Sequence, residues 1–224
     1  MLIVDLHDQY RAMPGTDIKI MTVEAKPIYH DRHQIAAMEA RVTKAARELC
    51  QEHQKWNLIP GSEAYVNFYT SMGINANRVS NPFKQAFRFT RKNYRSVSPI
   101  VDAAMFAEYG TGVSFQVLNA EIVGSGICVR PTTEEDGLCD KNGIFRTARS
   151  GEIGLFSDGQ LLHCPTLGLS NSALWSPNSN RAVVRVMAPA GLSPEAITNA
   201  ERRFFSKPAN VFINLINEGE FSDE

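Results

Sequence analysis

The texture of the 224-residue chain changes at Gly112. Before it, apolar residues recur mostly at helical spacing. After it they come in short runs typical of strands: VSFQVL, GICVR, GIFRT, EIGLF, QLLHC and AVVRVM. Turn signals separate several of them, Asn142-Gly143 and Asp158-Gly159 included. Helices first and strands afterwards, with no regular alternation, predict an α+β chain with N-terminal helices and an antiparallel or mixed sheet.

Residues 17–28 read as a strand ended by Pro27, with Ile18, Ile20 and Thr22 on one face and Met21, Val23 and Ala25 on the other. A long helix is expected from about Asp31 to Lys55. Its apolar stripe is Ile35, Met38, Val42, Ala45, Ala46 and Leu49, opposite Lys44, Arg47 and Glu48. A shorter helix opens at Gly61-Ser62, with Ser62 as its N-cap and Gly73 as its stop. The next spans Pro82 to about Tyr94. Ser98-Pro99 opens another, which Gly110 ends. Ser193-Pro194-Glu195 starts the last, within residues 191–206. Residues 1–218 form one domain in this reading, with a strand–helix lobe at about 15–60 and a frayed acidic tail at 219–224.

Composition narrows the function classes. The chain is 43% hydrophobic, enough for a substantial core. The net charge of −1 means that any contact with nucleic acid needs a local basic patch. One candidate exists: Lys84, Arg88, Arg91 and Arg95 are spaced four, three and four apart, with Lys92 beside them. On a helix they share a face that can follow phosphates, or serve simply as a solvated charged face. Four cysteines without a C-x-x-C pair are expected to be reduced thiols of a cytoplasmic protein rather than a zinc site. No run of 18 apolar residues is present, so no membrane span is expected. Neither a P-loop, a dinucleotide glycine motif nor H-E-x-x-H occurs, and no cofactor or metal is expected.

Two segments carry a resemblance to a known family. The first is AYVNFYTSMGINANRVSNPFKQAFRFTRKNYRSVSPIVDAA, residues 64–104, and the second is GVSFQVLNAEIVGSGICVRP, residues 112–131. Together with the ladder of turns up to about Pro189, this order resembles free-standing members of the tRNA-binding and editing domain family (the B-three/B-four domain) of the phenylalanyl-tRNA synthetase beta subunit. The resemblance spans roughly residues 15–200. It implies an α+β unit whose pocket admits the aminoacyl end of a mischarged tRNA. Water then cleaves the ester, positioned by hydrogen-bonding groups rather than attacked through a side-chain nucleophile.

Against the synthetase pattern, several positions differ. A Thr-Asn pair after V-V-D falls on Ala104 and Met105. The His of P-x-H-A-F-D falls on Gln116 and its Asp on Asn119. A small Ala-Gly pair falls on Ser170 and Asn171, and the acidic residue that reads a tyrosine hydroxyl falls on Arg185. Losing the Thr, Asn and His removes polar groups suited to orienting water.

The residues themselves offer further readings. Gln116 shares a strand face with Ser114 and Leu118 and can hydrogen-bond a ligand or face solvent. Arg185 interrupts an apolar run; on a central strand its guanidinium would want an anionic ligand group, and otherwise a structural ion pair. Ser170 and Asn171 would line the pocket mouth or form a turn. His163 is an acid, a base or a satisfied structural histidine. The leading expectation is aminoacyl-tRNA binding with trans-editing, that is, an aminoacyl-tRNA deacylase. The alternatives are a non-catalytic tRNA-binding module, or an enzyme of a specialised pathway that reuses the pocket for another amino-acid-derived ligand.

Overall fold

The computed structural model describes residues 3–6, 16–25, 29, 31–124, 126–176, 178–193, 195–206, 213–218 and 220–221. Pro27 and Pro194 lie outside these residues. The first half holds β1 (Ile3–Leu6), β2 (Asp17–Ala25), α1 (Arg32–Cys50), α2 (Ser62–Ser71), α3 (Pro82–Arg91) and α4 (Pro99–Thr111). The second half holds β3 (Ser114–Asn119), β4 (Gly126–Pro131), β5 (Gly137–Cys139), β6 (Phe145–Thr147), β7 (Ile153–Ser157) and β8 (Gln160–Cys164). It continues with β9 (Gly168–Leu169), β10 (Arg181–Ala188), α5 (Ala196–Phe204), β11 (Ile213–Glu218) and β12 (Glu220–Phe221). The class is α+β, as the segregation of periodicities predicts.

The strands build three sheets rather than one. One antiparallel sheet has the order β11-β2-β10-β3, and a second has the order β12-β1-β4-β7-β8-β9. β5 and β6 form a separate hairpin. Because β10 lies between β2 and β3, both of its edges are paired and its side chains are buried from Ala182 to Ala188. Val183, Arg185 and Met187 face the same way as Leu118, Gln116 and Ser114, their partners across the ladder. At the C-terminal end, expected to be frayed, Glu220–Phe221 pairs in parallel with β1.

Several helix ends differ from expectation. α1 stops at Cys50, not Lys55, because Gln51 takes φ 48 and donates its N–H to the Arg47 carbonyl. The N-cap of α2 is Gly61 at φ 87, so Ser62 is already helical, and its buried hydroxyl has no partner. Asn81 caps α3 by accepting from the Lys84 N–H at 2.9 Å, with Pro82 in the first turn. That helix ends at Arg91, earlier than Tyr94, because Lys92 turns extended and carries Tyr94 into the core.

α4 begins as the sequence suggests, with Ser98 accepting from the Val101 N–H. It then runs through Gly110 and stops at Gly112, which takes φ 76. Gly110 serves packing instead: a Cβ there would lie 2.2 Å from the Arg203 guanidinium of α5. In α1 the residues Met38, Val42, Ala45 and Ala46 are buried, against α3 and α4. No described helix is long and apolar enough to cross a membrane.

Candidate functional site

A cavity of about 650 Å³ opens where β3 and β10 meet α3, α4 and the turn between β8 and β9. The two larger sheets both contribute to it. Arg185 and Gln116 stand directly opposite each other on β10 and β3. His163 comes from β8 of the other sheet, and its Nε2 meets the side-chain nitrogen of Gln116. With the amide nitrogen donating to Nε2, the ring proton sits on Nδ1. Nδ1 is buried without a partner, and so is Gln116 Oε1.

Arg185 dominates the electrostatics. It is 2% exposed, and its Nε and Nη1 have no hydrogen-bond partner among the described residues. Burial pulls the guanidinium down to about 10, against the pull of Tyr69, Tyr65 and Glu108, so it stays a cation at neutral pH. Glu108, from the penultimate turn of α4, lines the same cavity at 6% exposure. Its Oε2 accepts from the Phe115 N–H at 2.9 Å. Burial pushes the carboxyl up to about 8, with the Phe115 hydrogen bond and Arg185 opposing, so it is largely protonated at neutral pH. His163 is held well below its ordinary value, first by burial and then by Arg185, and is neutral.

The opposite wall is apolar: Phe89 from α3 and Val101, Met105 and Tyr109 from α4. At the lip lies the extended segment 92–97. Lys92, Asn93 and Arg95 are exposed, and Val97 is 70% exposed. This strap is tied down on both sides. On α1, Glu39 accepts from the Ser96 N–H at 3.0 Å and pairs with Arg95 at 3.5 Å. Thr43 accepts from the Tyr94 N–H at 3.1 Å, and Arg47 donates to Asn93 at 3.3 Å. On α4, Asp102 is fully buried and accepts four hydrogen bonds. These come from the hydroxyls of Tyr29 at 2.6 Å, Tyr94 at 2.7 Å and Ser96 at 2.5 Å, and from the Val97 N–H at 2.9 Å.

Of the residues singled out in the sequence, Met105, Gln116, His163 and Arg185 line this cavity. Ala104 does not: it is fully buried in the hydrophobic core. Ser170 and Asn171 do not line it either. The Ser170 N–H donates to Leu162, its hydroxyl bonds Ser172 at 2.7 Å, and the Asn171 N–H donates to Cys139, which turns this loop toward the β5–β6 hairpin. The basic stripe is also divided. Arg88, Arg91 and Lys92 are exposed at the end of α3, and Arg95 lies beyond it on the strap. Lys84 is turned inward, its ammonium donating to the carbonyls of Asn77 at 2.5 Å and Val79 at 3.1 Å. Burial, then Arg88, lowers its pKa.

Glu108 and Asp102 were not picked out as functional from the sequence. Their signal was present: they are the only charged residues between Pro99 and Thr111, on a helix that is otherwise almost wholly apolar. An acid on such a helix is buried, and a buried acid needs a stated partner. Among the described residues, no group of three or more His, Cys, Asp or Glu could hold a metal ion.

No family model matches the chain, and no curated protein matches it. Among solved structures, an N-terminal fragment of the phenylalanyl-tRNA synthetase beta subunit from Pyrococcus horikoshii aligns at 8% identity with a TM-score of 0.48. The alignment covers 100% of this chain and 52% of that one. A likeness of that size transfers neither residues nor activity.

Proposed function

We propose that the chain binds a small ligand with an anionic head and an apolar body, of the amino-acid-derived kind, in the cavity between α4, β3 and β10. The observation that carries this reading is Arg185: a guanidinium buried on a central strand with Nε and Nη1 unpartnered. Leaving a buried charge without hydrogen bonds is costly, and a carboxylate or phosphate reverses that cost through paired charge-assisted bonds. His163 Nδ1 adds a further unpartnered buried polar atom on the same wall. The volume suits a small molecule, and Phe89, Met105 and Tyr109 suit an apolar or aromatic body. The test is calorimetry with a panel of aromatic carboxylates and phosphates against wild type and Arg185→Leu. The variant is expected to bind roughly 100-fold more weakly, since two hydrogen bonds to a charge are lost at about 1.5 kcal/mol each. Equal affinities would remove the reading.

Aminoacyl-tRNA binding is the second reading, and the lip of the cavity favours it. Lys92 and Arg95 are exposed there, next to Arg88 and Arg91 on α3. Such a cluster can hold the phosphates of a tRNA terminus while its aminoacyl group enters the cavity. Deacylation of a panel of mischarged tRNAs, with filter binding in parallel, separates the outcomes. Hydrolysis supports trans-editing, and binding alone supports a non-catalytic module. Neither, together with Arg185-dependent binding of a small acid, leaves the first reading.

A further inference from the structure

We infer that Glu108 is a second recognition group of this cavity, taking a cationic group of the ligand while Arg185 takes the anionic one, so that the site selects zwitterions over plain acids. The inference rests on the anion-binding reading of Arg185. Both side chains line the same cavity, and both are more than nine-tenths buried. They act on each other electrostatically but are not hydrogen-bonded through Nε or Nη1 of Arg185, which have no partner among the described residues. Of the Glu108 oxygens, Oε2 is engaged by the Phe115 N–H. The hydroxyls of the tyrosines that sense this carboxyl are bonded elsewhere: Tyr65 donates to the Gly112 carbonyl and Tyr69 to the Ser80 carbonyl. The groups facing Glu108 are therefore Arg185 from β10, Tyr65 and Tyr69 from α2, and Tyr109 from its own helix. None of them is a cation that could hold the carboxylate except Arg185.

An ammonium group brought into that space supplies the missing partner, while the ligand's carboxylate occupies Arg185. The proton balance is definite. On its own Glu108 is largely protonated at neutral pH. Binding an ammonium favours the carboxylate, so the proton leaves to buffer. A ligand with a carboxylate but no ammonium has no reason to expel it.

Titration calorimetry on the full chain tests this, using L-phenylalanine and its deaminated analogue 3-phenylpropionate in buffers of different ionisation enthalpy. At about pH 7, L-phenylalanine is expected to bind at least 10-fold more tightly and to release close to a full proton, a release that vanishes above the folded-state pKa. 3-Phenylpropionate is expected to release none. Glu108→Gln keeps an acceptor for the Phe115 N–H, and should erase both the proton release and the preference. Equal affinities with no proton release overturn the role of Glu108 and leave the anion site standing. If neither compound binds wild type, the anion site and the role of Glu108 fall together.

Discussion

The two carboxylates of α4 sit less than two turns apart and are bonded in opposite ways. Asp102, near the helix start, is fully buried and receives four hydrogen bonds. The tyrosines that bind it are held well above their ordinary pKa by burial and by Asp102, and remain donors. Its helix N-terminus favours the negative charge as well. Glu108, near the helix end, is just as enclosed, yet it holds one backbone N–H and faces a guanidinium that is itself unpartnered. Native proteins pair nearly all their buried polar groups. A saturated carboxylate thus marks a joint of the architecture, here between α4 and the strap 92–97. A cluster with open valences marks a place where something else completes the bonding.

That contrast can be broken in several ways, beginning with the largest expected effect. Asp102→Ala removes an acceptor from four donors, and should cost roughly 4 kcal/mol of stability, about 8–16 °C in melting temperature. If the loss were below about 1 kcal/mol, Asp102 would not be the joint described. Arg185→Met should leave stability unchanged or raise it by about 1–4 kcal/mol, because an unpartnered buried charge is exchanged for an apolar side chain. A large destabilisation would move Arg185 into the same class as Asp102.

Glu108 gives a pH signature. Its folded-state value of about 8 lies above that of an exposed carboxyl, so the folded protein keeps a proton that the unfolded chain has lost. The associated stability is complete below the ordinary carboxyl range and disappears as pH rises through about 8. Urea unfolding between pH 5 and 9 should show this decline in wild type, and Glu108→Gln should flatten it. An identical decline in the variant would assign it to another group. The smallest effect concerns the lip. Under the tRNA-binding reading, reversing Arg88 and Arg91 should weaken binding several-fold and reduce its salt slope by about 2, whereas Lys84→Ala should leave the slope alone. Lys84 is already committed to the Asn77 and Val79 carbonyls, so a slope that falls for it as well would contradict the division of the stripe.

Much of this was legible before any coordinates. The cap at Ser98, the prolines Pro82 and Pro99 in the first turns, and the apolar run that Arg185 interrupts are local, and local sequence states them. Two of the boundaries that shifted did so for reasons outside the helix concerned. Tyr94 leaves the expected helix because Asp102 waits for its hydroxyl in the core. Gly110 reads as a helix stop, but its missing Cβ makes room for Arg203, almost a hundred residues away.

The candidate site follows the same division. Residue type and position along AVVRVM determined that Arg185 would stand alone among apolar neighbours, since period-two alternation is a property of the strand itself. Only tertiary structure decided that Gln116 lies across from it, that His163 arrives from a second sheet, and that Glu108 closes the group. Those meetings depend on strand register and on how the sheets and helices pack, and no periodicity within a segment encodes which distant segment it will face.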